Sequence, residues 1–559
     1  MYTWTLLLLI FGTLSTNCHR SQSQSQRNCP SFDGRSQLRP HNRDMLMYIE
    51  YKQWDYENRR IQNTAGQCEA QFSCSSQRKY RTADGSCNNL VNPRWGKSME
   101  CVNRLEDPVY ADGSKAPKVA KSGRPLPNAR LTSTTQHSHV NSFSHVTHML
   151  MQWGQFLDHD ITFTPTAQLR EGVMDCCTQS SPECFQITIP TNDPFYSRFN
   201  RRCMTFVRSA PCLTCSMYRE QINALTAFID ASNVYGSMDN ETTALRLRDG
   251  TGMLRSQNNG LLLPQTADPE NDQCSNRTNN MICFAAGDSR QINLHWDEET
   301  IFQEARRIVG AQMQVITYKE FLPLVLGGEF MNKYSLNLLS SGRTSYDSSI
   351  NPTIYSEFST AAFRFGHTLI DGLFFRIPFN GNPQSYTLRD NFFNPNPLYA
   401  ADIDNIVRGI IGVSSQRFDP FVTDDVRNHL YKIREDQFGN DLVAFNIQRG
   451  RDHAIPGYTV YVFACHQIRI TSFRDLERFM PSDQANRYAN LYESVDDIDL
   501  FSAMISERPL PNAVVGPTMA CIIGFQFRNL RFGDRYWFEH GGQSGSFTDG
   551  KTEFFTDNF

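Results

Sequence analysis

A mainly helical single domain is the fold class that the sequence predicts, and three observations carry it. Apolar residues recur at three-to-four spacing over 218–227, 299–316, 359–373 and 405–411; β-type alternation is scarce; and neither an internal repeat nor a clear inter-domain linker interrupts the 559 residues. With 40% hydrophobic and 20% charged residues and a formal net charge of −4, the chain has enough apolar content for a substantial core. Nothing in that charge balance suggests a nucleic-acid partner.

Taken in order, residues 1–20 read as a secretory signal peptide. The apolar run Leu6, Leu7, Leu8, Leu9, Ile10 and Phe11 is far short of the ~20 residues that cross a bilayer, and no later segment has the length of a membrane span. Residues 21–70 are expected to be disordered or loosely ordered, beginning with a polar Ser/Gln tract at 21–26. The domain itself is assigned to 71–559. Within it, 70–130 is rich in Gly, Pro, Asn and Arg and predicts an irregular wrap closed by disulfides. Sixteen cysteines fit an oxidising compartment; if Cys18 leaves with the signal, the odd remainder leaves at least one thiol unpaired or bonded to another chain. Cys212 and Cys215 read as disulfide cysteines, since no second pair completes a zinc site. The sequons at Asn240 and Asn276 suit the same secretory route.

The most informative stretch is 151–160, MQWGQFLDHD. On a helix, Gln155 and His159 share a face, whereas Asp158 and Asp160 are thrown to different sides. A histidine satisfied by its own two aspartates is the bland explanation. It has to bury three costly polar groups together, at ~1–3 kcal/mol for each one unsatisfied, so a cofactor or metal partner is the better one. At 226–232, TAFIDAS, oxygen-bearing side chains fall at Thr226, Asp230 and Ser232 with the Phe228 carbonyl between them. An extended loop would aim these to one side, and with Asp160 they form a donor set suited to calcium. At 361–370, AAFRFGHTLI, small residues allow a flat group to approach; His367 is a natural axial iron ligand and Arg364 a natural carboxylate partner. At 446–453, NIQRGRDH, the Asn446 amide could fix an imidazole through its other ring nitrogen.

Together, in this order, these segments resemble the animal haem peroxidase family, which includes myeloperoxidase, peroxinectin and chorion peroxidases. The likeness runs from Cys74 and Tyr80-Arg81-Thr82 to Gly533-Asp534-Arg535. It implies a helical domain around a buried haem b, attached covalently through Asp158. By the same resemblance His159 is the acid/base, Gln155 lies beside it, and Arg290 is the catalytic arginine. His367 is the iron ligand oriented by Asn446, and Arg364 and Arg449 lie near the haem propionates. Asp160, Thr226, Phe228 by its carbonyl, Asp230 and Ser232 are the calcium shell. The implied activity is oxidation of a halide, phenol or tyrosyl group by hydrogen peroxide, through a ferryl intermediate.

Two departures shape the expectation. Between Arg290 and Trp296 the family has a further helix that this chain lacks, a segment of roughly 35–40 Å at 1.5 Å per residue, and the C-terminus stops before the family's closing helix. The alternative is therefore a catalytically impaired isoform or pseudo-peroxidase acting as an extracellular binding or adhesion protein, with a matrix or cell-surface partner. The absence of Arg-Gly-Asp and Lys-Gly-Asp tripeptides argues against a simple integrin ligand, and the absence of preceding leucine-rich or immunoglobulin-like segments against the peroxidasin type. A third reading, a His-based metalloenzyme built on His137, His139, His145 and His148, lacks a carboxylate-containing motif, and those histidines read as a polar surface run.

Overall fold

The computed structural model describes residues 72–167, 174–212, 218–255, 295–394, 397, 402–433, 435–550 and 552. The signal segment, residues 21–70, Cys215, Asn276, Arg290 and residues 553–559 lie outside them. The helices that position the site are α1 (Ala129–Gln136), α2 (His148–Ile161), α3 (Ser232–Tyr235), α4 (Glu298–Ile316), α5 (Leu322–Lys333), α6 (Ser356–Thr360), α7 (Leu442–Asp452), α8 (Leu500–Ile505) and α9 (Pro517–Phe532). Among the described residues β-structure is limited to two-stranded antiparallel pairs and isolated bridges, so the mainly α expectation holds.

Helix α4 starts where Asp297 caps it, its carboxylate accepting from Thr300 N at 2.8 Å, with Glu298 and Glu299 in the first turn where the helix dipole favours negative charge. It passes through a π turn at Thr317–Phe321 into α5, and this turn lies behind α2. The Trp153 indole donates to Thr317 Oγ1 at 3.3 Å, and a Cβ on Gly154 would lie 3.4 Å from Phe321 Cζ. Helix α9 is buried along most of its length, and its Phe527 meets Tyr318, Phe358 and Phe363 in an aromatic core. Among the described residues five disulfides join Cys74–Cys87, Cys101–Cys212, Cys176–Cys184, Cys177–Cys203 and Cys465–Cys521. The irregular wrap expected near 70–130 is present and carries the first cysteine pair.

Two local expectations are corrected. Residues 218–227 are not helical. The strand Ile222–Asn223 pairs with Glu100–Cys101, with Met99 N donating to Asn223 O at 2.7 Å and Val102 N to Gln221 O at 2.9 Å. A backbone committed to that pairing, near the Cys101–Cys212 bridge, has no i→i−4 bonds to give. Residues 359–373 likewise break up. Ala361 leaves the helical region at φ −135°, a tight 3₁₀ segment follows at Ala362–His367, and Leu373–Arg376 is a strand.

Candidate active site

The hydrophobic helix α2 is unusual in that most of its residues from Met151 to His159 are only half-buried, although they lie inside the molecule. The His159 side chain keeps 19% of its surface and Asp158 33%, yet burial pushes the Asp158 carboxyl up to about 7 and the His159 imidazole down to about 4. Groups surrounded by protein that still carry free surface line an open slot. The opposing wall is the 3₁₀ segment at Ala362–His367, where Arg364, Gly366 and His367 are also half-buried. At Gly366 an added Cβ would meet Met151 Cγ at 3.8 Å, so the two elements approach closely there. Small residues on one side and an apolar helix on the other fit a flat, largely apolar group such as haem.

The polar residues of the slot are tied into one relay. Arg364 donates from Nε to Ser359 O at 2.9 Å and from Nη1 to Asn446 Oδ1, which turns the Asn446 Nδ2 towards His367 Nδ1 at 2.7 Å. Asn446 is fully buried on α7, so this orientation is dictated by the packing. With Asn446 Nδ2 donating to it, Nδ1 is an acceptor and the proton of the neutral ring sits on Nε2; holding a metal through Nε2 requires that proton on Nδ1, with the Asn446 amide turned over so that Oδ1 accepts from it. Burial, reinforced by the Arg364 charge, pushes His367 down to about 3 and keeps it neutral. Arg364 itself is pulled down to about 10 by burial, with Asp158 opposing the shift. Its hydrogen-bond acceptors are neutral, so the cation retains an unmet demand for an anion.

His159 is not satisfied by its neighbouring aspartates. Its Nε2 lies 3.9 Å from Asp158 Oδ2, beyond hydrogen-bonding distance, and Asp160 is committed elsewhere. Gln155 accepts from Gln152 Nε2 at 3.5 Å on the same helix. Arg449 lies on α7, where Val207 O, Ser209 Oγ and Asp452 Oδ2 each accept from its Nη1 at 3.0 Å. Arg290 lies outside the described residues.

Asp160, Thr226, Asp230 and Ser232 converge, but not on the extended loop that the spacing predicted: residues 227–230 bend, and Ser232 opens α3. Thr226 Oγ1 donates to Asp230 Oδ1 at 3.1 Å and lies 3.3 Å from Ser232 Oγ. The Ser232 hydroxyl reaches Asp160 O at 2.8 Å and Asp160 Oδ1 at 3.2 Å. Asp160 also accepts from the backbone of Asp230, Ala231 and Asn233 at 3.1–3.3 Å. Ala231 sits in the left-handed region at φ +62°, which lets residues on either side of it turn to the same carboxylate. The Phe228 ring is held by the glycine loop opposite: Gly96 has φ +75°, and a Cβ there would sit 2.5 Å from Phe228 Cζ. Burial pushes Asp160 up to about 7, with Asp230 adding like-charge repulsion, and burial raises Asp230 as well. Two buried carboxylates with hydroxyls and no soft donor fit a hard cation, and Asp230 Oδ2, which accepts no hydrogen bond, has lone pairs to offer it.

Sequence reasoning missed two groups here. Asn233 donates to Phe156 O at 3.0 Å, tying α2 to the loop, and Arg306 lies 3.5 Å from Asp230 Oδ2. Asn233 follows Ser232 directly and could have been included with it; Arg306 sits in an ordinary helical register with no local signal. The histidine run was misjudged in part. His137 is fully buried, its ring nitrogens meeting Pro420 O at 2.7 Å and Ser502 Oγ at 2.6 Å, and His148 is buried against Phe374. Among the described residues no group of three or more His, Cys, Asp or Glu forms a metal cluster.

Comparison with known proteins agrees with this geometry. A peroxidasin homolog from Mus musculus is 38% identical over 545 aligned residues, covering 87% of this chain but 36% of its own length. The chain thus spans about a third of the length of the peroxidasins it matches, and the expectation against a peroxidasin type does not hold for this domain. Myeloperoxidase from Mus musculus is 35% identical, covering 85% of this chain and 73% of its own length. The solved structure of peroxidase A from Dictyostelium discoideum superposes with a TM-score of 0.67 at 24% identity over 86% of this chain and 94% of that one, which supports the fold. The family model described as animal haem peroxidase matches residues 80–294 and 290–555, nearly the whole described region. The chain belongs to the animal haem peroxidase family.

Proposed function

We propose that the chain is a secreted haem peroxidase that takes hydrogen peroxide and a small reducing substrate, a halide, phenol or tyrosyl group. The observation that carries this is the Arg364–Asn446–His367 relay, which fixes the His367 ring through Nδ1 across a slot whose other wall holds His159 and Asp158. When bound, haem b supplies the iron at which peroxide is reduced and the oxidising equivalents delivered to substrate. His367 is the residue to hold that iron through Nε2. Asp158 is assigned the covalent ester, which removes the cost of an ionised carboxylate at a site where burial already pushes it up to about 7. Arg364 and Arg449 are assigned to the haem carboxylates.

His159 does the proton work. Burial holds it neutral down to about pH 4, so at neutral pH the unprotonated imidazole accepts the first proton of peroxide and returns it to the departing oxygen. Arg290 is assigned the fixed positive charge that stabilises the separating oxygens, with Gln155 positioning the bound molecule. Calcium is assigned to Asp160, Thr226, Phe228 by its carbonyl, Asp230 and Ser232, pinning the end of α2 to the 226–232 loop. Secretion is supported by the five disulfides and by the exposed position of Asn240. Among the described residues no helix is long and apolar enough to cross a membrane.

The second reading is an impaired member of the family, acting by binding an extracellular matrix or cell-surface partner. It is favoured by the family match falling into two stretches that meet at 290–294, where the sequence reading placed a missing segment. A His159→Ala variant separates the two. Under the first reading it retains haem and loses turnover of a phenolic substrate by about 10²–10⁴-fold. Unchanged turnover refutes the role of His159.

A further inference from the structure

Next to the oxygen nest lies a cavity of about 30 Å³ whose lining includes Tyr80, Arg81, Asp230, Arg306, Arg307 and Tyr536, room for one or two water-sized occupants. Arg306 is 4% exposed, donates from Nη2 to Thr82 O at 3.3 Å, and lies 3.5 Å from Asp230 Oδ2. Its Nε has no hydrogen-bond partner, which is costly for a buried guanidinium. The neighbouring cations are already taken: Arg81 makes a bidentate pair with Asp534, and Arg307 contacts Glu304 at 3.3 Å and Gly545 O at 2.8 Å. Lys79 also pairs with Glu304, at 2.6 Å, but is half exposed. Asp230, which also lines the cavity, is the third carboxylate, and its Oδ2 accepts no hydrogen bond.

Once calcium engages Asp230, the three guanidiniums of Arg81, Arg306 and Arg307 are left with two carboxylates, Glu304 and Asp534. A surplus buried positive charge then borders the cavity, and the Nε of Arg306, one of its lining residues, has no hydrogen-bond partner. We propose that this cavity binds a single small monovalent anion of halide size against Arg306 Nε, and that it does so together with calcium. The inference rests on the calcium reading above, because a free Asp230 carboxylate would repel the anion. Since the coupling is reciprocal, halide raises calcium affinity by the same factor as calcium raises halide affinity, about fivefold or more.

The test uses the full chain at constant ionic strength, with bromide as probe and gluconate, too bulky for the cavity, as the reference anion. Calorimetric calcium titration is run in each medium, and bromide-soaked crystals are examined for anomalous scattering. The expected result is tighter calcium binding in bromide and a bromide peak within hydrogen-bond distance of Arg306 Nε. Loss of the bromide effect in Arg306→Met, with calcium still bound in gluconate, supports the assignment. Water in place of bromide, or equal calcium affinity in both media, overturns the proposal while leaving the calcium reading intact. No calcium binding in either medium removes the calcium reading, and the proposed coupling with it. Should Arg306→Met not fold, the wild-type crystal decides.

Discussion

Replacing Asn446 by Ala removes the hinge of the relay, and its cost follows from what is stranded. The side chain is fully buried, accepts from Arg364 Nη1, and donates to His367 Nδ1 at 2.7 Å. Truncation leaves a guanidinium donor without its acceptor, about 1.5–3 kcal/mol, and a buried ring nitrogen without its donor, about 1–3 kcal/mol. Together these predict a loss of roughly 2.5–6 kcal/mol, read as a lower denaturant midpoint at unchanged slope. Asn446→Asp is the control. Its second oxygen puts an acceptor against Nδ1, so His367 must carry a proton there and titrates well above about 3, while Arg364 keeps its partner. A loss under about 0.5 kcal/mol for Asn446→Ala, the size of a surface change, refutes the relay.

Further outcomes follow from the same geometry. Without calcium, Asp160 and Asp230 have folded pKa values raised above their unfolded ones, so the stability these two groups contribute is fully present below about pH 4 and is lost as pH rises towards about 7; calcium abolishes that loss, and the difference between melting curves with and without chelator over about pH 4–7 checks it. Peroxidase turnover needs neutral His159 and should hold through the neutral range and fall as pH drops through about 4, visible in the acid limb of kcat/KM; a limb near 6.5 contradicts the burial argument. Removing the Cys465–Cys521 bridge by a double Ser substitution opens a 56-residue loop and should cost up to about 4 kcal/mol by loop-closure entropy, measured by denaturation.

How much of this was legible in the sequence depends on how local each signal is. Asp158, His159 and Asp160 could be separated into different roles because helical geometry sends neighbours to different sides, and the structure does commit Asp160 to the 226–232 loop. The convergence of Thr226, Asp230 and Ser232 was readable from oxygen chemistry at close spacing. His367 and Asn446 were readable as types from their own segments, but their pairing was legible only through the family resemblance, since 79 positions separate them and only the fold brings the amide to the ring. Residues 218–227 show why periodicity fails. A few apolar positions at helical spacing say nothing of a distant strand that claims the backbone. Arg306 and the three internal acceptors of Arg449 were invisible for the same reason: their meaning lies in contacts between remote segments.

The central claim is that Asp158, His159 and His367 line a slot built for haem and still able to use peroxide. Its most direct test is the absorption spectrum of the purified full chain in the Soret region, before and after addition of hydrogen peroxide. The account predicts a haem band near one equivalent per chain that shifts with peroxide and recovers on adding a reducing substrate. A folded protein with no haem band, or with a band indifferent to peroxide, contradicts it.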